Sequence, residues 1–260
     1  MAFPGPPVPS RLQRLLKPVG LALLDLVYPR LCCVCRVPVD EGEFCAACAG
    51  ALPLVEAPYC MVCGEVYDGA FTGEFRCTNC SGRRLEFEFA IAACHAKEGA
   101  RELIHQFKYE RRLQLRAALA TLMLRTLEEP RLARENLAEW LLVPVPLHAS
   151  REQEREFNQS WELCVRLSQL TGIPAAKALV RTRVTDAQAG LEREARLKNL
   201  RGAFDLLPPR PWRPKIGLQG RRILLVDDVF TTGATTSECA RILRREGGAE
   251  KVVVITVTRG

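Results

Sequence analysis

From residue 87 onward the chain alternates strand-length apolar runs with stretches of helical spacing. Residues 222–227 read Arg-Ile-Leu-Leu-Val-Asp, an unbroken apolar run of the kind found in a parallel strand buried on both faces. Residues 251–257 form a second such run. Residues 87–93 and 140–145 are also apolar and strand-like, and 177–181 is a shorter candidate. Between them, 112–127 places Leu115, Leu119, Leu122 and Met123 on one helical face. Residues 159–170 and 235–245 also carry helical patterns, and the latter stops at Gly247-Gly248, a C-terminal cap signal. Strands alternating with helices predict an α/β domain with a mostly parallel sheet.

The first 86 residues lack this rhythm. Their longest apolar stretch, 19–28, is broken by Asp25 and is too short for the roughly 20 residues of a membrane span. Arg11, Arg14 and Lys17 precede it, as in a signal peptide, but it runs into Tyr-Pro-Arg without a small-residue cleavage site. A cytoplasmic location is therefore expected.

What this front does hold is cysteine: nine of the chain's 12 lie in residues 1–90. Eight form four C-x-x-C pairs, Cys32/Cys35, Cys45/Cys48, Cys60/Cys63 and Cys77/Cys80, with nine residues between the first two pairs and 13 between the last two. Each C-x-x-C places two thiolates on one ion, and two pairs complete the four-sulfur shell that zinc favours. Phe44, Leu52, Phe71 and Phe75 are too few for an independent core, so metal would supply the folding energy. Disulfides fit poorly without a secretion signal. A thioredoxin-like dithiol would be a single C-x-x-C near a βαβ unit. Two structural zinc ions follow. Sequential pairing (Cys32, Cys35, Cys45, Cys48, then Cys60, Cys63, Cys77, Cys80) is the simplest scheme, and an interleaved one satisfies the same count. Cys33, Cys94, Cys164 and Cys239 are read as small apolar fillers.

Charge divides the chain in the same place. The 260 residues carry 37 Lys+Arg and 30 Asp+Glu, a net of +7, but residues 1–90 hold 8 and 10 of these and residues 91–260 hold 29 and 20. The cysteine-rich front is thus slightly negative, which suits a structural or partner-docking ribbon better than a nucleic-acid finger. The body, at +9, expects an anionic partner: nucleotide, phosphate or nucleic acid. Hydrophobic residues at 48% and charged residues at 26% exclude a wholly disordered chain.

The most informative segment follows the 222–227 run: Leu-Leu-Val-Asp-Asp-Val-Phe-Thr-Thr-Gly-Ala-Thr-Thr, residues 224–236. A buried strand ends in two acids, then a loop of small and hydroxylic residues enters a helix. Backbone N–H groups and hydroxyls at a helix N-terminus make an anion site, and Gly233 allows close backbone approach. Acids at the carboxyl end of a strand suit ribose hydroxyls, directly or through Mg²⁺. The segment describes a pocket for a sugar phosphate.

It resembles the phosphoribosyl-pyrophosphate signature of type I phosphoribosyltransferases, and it is not a Walker loop, since no Gly-Lys-Ser/Thr is present. From about Leu24 onward the chain resembles the ComF family. The resemblance rests on Leu26 to Cys35, on Leu-Ile-His-Gln-Phe-Lys-Tyr at 103–109, and on Val-Pro-Val-Pro-Leu-His at 143–148. It also rests on Arg151 with Arg-Glu-Phe-Asn-Gln at 155–159, and on Gln188, Leu191, Arg196, Asn199 and Phe204. Glu156 stands where the family usually has Gly, and Lys97 where an aromatic is expected.

This resemblance implies a type I phosphoribosyltransferase-like parallel sheet behind an N-terminal double zinc ribbon. The tail would span 1–30, the ribbon 31–86 and the phosphoribosyltransferase-like domain 87–260. Asp227 and Asp228 would hold the ribose hydroxyls and Mg²⁺. Thr231, Thr232, Gly233, Ala234 and Thr235 would cradle the 5′-phosphate. The loop after 143–146 would bind pyrophosphate with Arg151, Arg155 or Lys108, although Glu152, Glu154 and Glu156 could instead pair with those arginines on a helix. Residues 182–199 could close over the ligand as a hood. Phosphoribosyl pyrophosphate, single-stranded DNA and a competence helicase are the partners implied, with a role in natural transformation. The alternatives are a phosphoribosyltransferase with an unnamed acceptor, a ligand sensor without catalysis, and a DNA-binding protein on the same fold. Against DNA, the three Trp and four Tyr form no run interleaved with basic residues. Met1-Ala2 lacks the leading Cys of a glutaminase, so self-supplied ammonia is not expected.

Atomic emission on freshly purified protein should find about two zinc ions per chain, one for each four-thiolate shell. A value near zero would sink the metal assignment.

Overall fold

The computed structural model describes residues 30–67, 69, 73–184, 200–209 and 216–260. The expected N-terminal tail, apart from Arg30, and the expected hood beyond Val184 lie outside the described residues. The chain divides into two compact units, Met1–Ala51 and Leu52–Gly260.

In the smaller unit the Cys32–Cys35 turn closes through Arg36 N–H to Cys32 O (2.9 Å) and Cys32 N–H to Val37 O (2.8 Å). A short helix, α1 (Ala46–Ala51), follows Cys45 and carries Cys48.

The larger unit holds β1 (Ala90–His95), α2 (Glu98–Tyr109), α3 (Leu115–Met123), α4 (Pro130–Ala133), β2 (Trp140–Pro144), α5 (Ala149–Arg155) and α6 (Gln159–Thr171). It continues with β3 (Leu179–Arg181), β4 (Phe204–Leu206), β5 (Arg222–Phe230), α7 (Ala234–Arg245) and β6 (Lys251–Arg259). Four strands form one sheet in the order β1-β6-β5-β2, and every pairing is parallel. The apolar run at 222–227 is its centre: Leu225 sits in register with Val143 on one side and Val254 on the other. Ile223, Leu224, Leu225 and Val226 are each 0% exposed, which is why both faces of this strand had to be apolar.

Strand residues alternate between two layers. Leu141, Val143, Ile223, Leu225, Val252 and Val254 share one buried cluster with Cys239, Ala240, Ile242 and Leu243 of α7. The other face takes α3 against β1 and β6, and α6 against β2 and β5.

Three elements differ from the sequence pattern. The 177–181 candidate does not join the main sheet. β3 pairs antiparallel with β4, while the segment just before it bonds the free edge of β2 through Leu142 N–H to Pro174 O (2.8 Å) and Ala176 N–H to Leu142 O (2.9 Å). The helix expected over 112–127 keeps α geometry only to Met123 and tightens to a 3₁₀ turn over Leu124–Glu128. The chain then turns at Glu129 (ψ 124°), because Pro130 disfavours helical geometry in the residue before it. The central strand runs to Phe230, so both acids lie inside it rather than beyond it.

The loop after β2 is stiff. Val145 N–H bonds Val226 O (2.9 Å), and Asn158 Nδ2 donates to Val145 O (3.1 Å) while its Oδ1 caps α6 by accepting from Trp161 N–H (3.2 Å). α5 ends at Glu156, whose φ is +68°. A left-handed backbone is the physical reason for glycine at this place, and a side chain there costs about 1–2 kcal/mol. Here Glu156 pairs with Arg111, whose other nitrogen donates to Glu154 O (3.0 Å), tying the end of α5 to the turn after α2.

Candidate functional site

β5 delivers Asp227 and Asp228 to the carboxyl end of the sheet, where two other elements meet them. Ser160 Oγ, in the first turn of α6, donates to Asp227 Oδ1 (3.0 Å), and the same oxygen accepts Asp228 N–H (2.9 Å). Lys108 Nζ, from the last turn of α2, lies 2.7 Å from Asp228 Oδ1. Asp228 is 6% exposed, so its charge needs this partner. Lys108 is therefore an acid-pair contact, placed across the sheet end by a helix whose Leu103, Ile104 and Phe107 are buried.

Phe230 then leads into the loop. Gly233 has φ +74°, and a Cβ there would stand 2.7 Å from the Phe230 ring, so glycine is required twice over. Thr232 Oγ1 accepts Ala234 N–H (3.4 Å) and Thr236 Oγ1 donates to Gly233 O (3.2 Å), bending the chain into α7. Thr231, Thr232, Gly233, Ala234 and Thr235 thus form one turn at the N-terminus of a 12-residue helix. N–H groups of a first helical turn have no partner within the helix and favour an anion.

The arginines separate. Arg155 packs over the Tyr109 ring (5.1 Å) and donates to Gln159 Oε1 (3.2 Å). The acids that might have claimed these arginines go elsewhere: Glu152 to Lys177 (3.7 Å) and Glu156 to Arg111. Arg181, at the end of β3, is a residue the sequence pattern did not single out. Its backbone bridges to His148 in the loop after β2. Burial, then the charge of Arg151, lowers its pKa, and Asp227 acts on it in the opposite sense. Only an arginine pair at a strand end, Arg181 and Arg183, marked it in the sequence.

A second feature was illegible in one dimension. Tyr109 is 61% exposed, with the His105 ring 5.0 Å away and the Arg155 guanidinium on its face. An aromatic-basic cluster therefore does exist beside Lys108, assembled from α2 and α5.

The cysteines fall into the sequential tetrads, Cys32/Cys35/Cys45/Cys48 and Cys60/Cys63/Cys77/Cys80, with all sulfurs of each within 4.8 Å of one another. Four thiolates about 2.3 Å from a tetrahedral zinc stand roughly 3.8 Å apart, so both shells fit the ion. Cys35 and Cys45 sulfurs are 3.6 Å apart, as are those of Cys63 and Cys77. A hydrogen bond from Cys63 and, against burial, the Cys77 N–H lower the pKa of the Cys60 thiol. The tetrads differ in setting. The second is buried within the same cluster as Leu225 and Val254, while Cys35 of the first is exposed. Among the described residues, no helix is long and apolar enough to cross a membrane.

Paired acids and a Thr-Gly turn at the end of a central parallel strand, together with two cysteine tetrads, define a mixed α/β protein with a parallel sheet and an N-terminal double zinc ribbon. Residues 23–83 match the double zinc ribbon domain model. The chain is 33% identical over 227 residues to the DNA utilization protein YhgH of Escherichia coli, covering 86% of this chain and 95% of that one. It is 29% identical over 222 residues to competence protein F of Haemophilus influenzae, covering 84% and 93%. The chain belongs to the ComF family. Among solved structures it is similar to the hypoxanthine-guanine phosphoribosyltransferase of L. donovani, with 17% identity and a TM-score of 0.32 over 55% of this chain and 66% of that one.

Burial, then the charge of Asp228, pushes the Asp227 carboxyl up to about 7, against Lys108, the Asp228 N–H and Ser160. A carboxyl raised on folding stabilises fully below its unfolded value of about 4 and loses that contribution as pH rises through its folded value. In protein free of magnesium and ligand, the gain in thermal midpoint of Asp227→Asn over the parent should therefore widen from pH about 4 to about 7. A difference that stays constant across this range contradicts a raised Asp227.

Proposed function

We propose that the protein binds phosphoribosyl pyrophosphate at the end of β5. The observation that carries this reading is the sharing of one strand end by an acid pair, Asp228 buried and Asp227 half-buried, and a helix-terminal Thr-Gly turn. Asp227 and Asp228 would take the vicinal ribose hydroxyls, and residues Thr231 to Thr235 the 5′-phosphate. Arg151 and Arg181, on either side of the loop after β2, are the cations best placed for the pyrophosphate, with Lys108 shared with Asp228. Arg155 serves this role only by leaving Tyr109. Two carboxylates beside a diphosphate suit Mg²⁺, which when bound neutralises the oxygens of the leaving pyrophosphate. This chain's own residues then bind and orient the ribose. Lys108 pairs with Asp228, and Ser160 holds Asp227 in one orientation.

The relatives' names point to DNA handling, and we place the protein in DNA utilization during transformation, in the cytoplasm. The exposed Tyr109 with His105 and Arg155 supports contact with a single strand, because an open ring with a cation on its face accepts an unpaired base by stacking.

Two measurements test these readings. Calorimetry with phosphoribosyl pyrophosphate and Mg²⁺ should show binding that Asp228→Ala abolishes while zinc per chain is unchanged. No heat at millimolar ligand rejects the site. Gel shifts with single-stranded DNA should weaken steeply with salt and lose severalfold affinity in Tyr109→Ala, since stacking contributes about 1–3 kcal/mol per base. Binding indifferent to both salt and Tyr109 rules out this mode.

A further inference from the structure

The second cysteine tetrad lies against the phosphate turn, and two arginines join them. Arg83 follows Cys80 by three residues. Its Nη1 donates both to Asn79 O (3.3 Å), inside the Cys77/Cys80 knuckle, and to Thr232 O (3.4 Å), inside the turn. Arg259, 7% exposed at the end of β6, makes the second connection. Its Nη2 donates to Glu65, two residues past Cys63, and approaches Cys63 Sγ (3.9 Å). Its Nη1 reaches Phe230 O (3.5 Å), and its guanidinium lies 5.3 Å from the Phe230 ring centre. Phe230 is the side chain that Gly233 is small enough to admit, and it meets Phe87 edge-on (5.9 Å) in the cluster that holds the four sulfurs.

We infer that Arg83 and Arg259 are positioning residues that make the geometry of the phosphate turn depend on metal in the second tetrad. With metal bound, both knuckles are fixed, Asn79 and Cys63 hold the two guanidinium groups, and these hold the carbonyls of Thr232 and Phe230. Fixing those carbonyls fixes the peptide planes around them, and with them the direction of the turn's N–H groups. Without metal, four buried thiol groups have no common centre, the knuckles loosen, and the arginines lose one side of each bridge. The first tetrad belongs to the other compact unit. The ligand part of this inference rests on the reading of the turn as a phosphate cradle. The coupling itself does not.

The test uses the full-length, zinc-loaded chain and follows backbone amide hydrogen exchange over residues 229–236 without ligand. Arg83→Gln should keep the parental zinc count yet speed exchange in this segment about fivefold, the size of one lost hydrogen bond, with β2 and α6 at parental rates. Its affinity for phosphoribosyl pyrophosphate with Mg²⁺ should fall by a similar factor. Cys35→Ser, in the first tetrad, should lose about one zinc and leave exchange over 229–236 unchanged. Unchanged exchange in Arg83→Gln overturns the coupling, as does loosening spread equally over β2 and α6. If the parent fails to bind the diphosphate, the ligand reading fails, and the exchange data still decide the coupling.

Discussion

Two carboxylates on adjacent residues of a buried strand are an expensive arrangement, and the layer on one side of the sheet is organised around tolerating it. Asp228 lies almost out of solvent, where an unpaired charge is costly. The ammonium of Lys108 answers it at 2.7 Å, which requires α2 to end at the sheet's carboxyl edge. Asp227 is answered by a hydroxyl from α6. The apolar faces of α2 and α6 hold these polar groups in place, with Phe107, Leu163 and Leu167 buried. Burial, then the neighbouring charge of Asp228, pushes Asp227 toward protonation.

The opposite layer is organised around sulfur. Cys60, Cys63, Cys77 and Cys80 are packed into the apolar cluster under α7, so the second knuckle pair is part of the body's core and not an appendage to it. The first pair, with Cys35 exposed, sits in a small unit whose only buried apolar side chains among the described residues are Cys32 and Cys33. Metal there does the work of a core. One repeated motif thus serves two physical purposes: in the first unit it folds a segment with few buried apolar groups, and in the second its cysteines are part of the core itself.

Glu156 shows how a departure from the family pattern can be absorbed. The backbone there is left-handed, and the glutamate bears that strain while its carboxylate reaches Arg111. The loop after β2 is unaffected because Asn158, two residues on, anchors it to Val145.

Much was legible in the residues alone. The apolar runs located all four strands of the main sheet, since a strand buried on both faces has no freedom to be polar. The C-x-x-C spacing located both tetrads, because two thiolates on one ion must be close in sequence. The Asp-Asp and Thr-Gly signals were readable for the same reason: strand end, turn and helix start are contiguous. What required the tertiary structure joins distant segments. Lys108 was known as a basic residue, but its partner Asp228 is 120 positions away. Arg181 gained its neighbours from a two-stranded antiparallel pair outside the main sheet, and Tyr109 gained Arg155 from another helix. The bridges from Asn79 to Thr232 and from Glu65 to Phe230 exist only once the second knuckle pair packs on the sheet. Local chemistry is set by covalent spacing and can be read along the chain. Which charges meet is set by the packing of apolar faces, which carry no record of the polar groups they bring together.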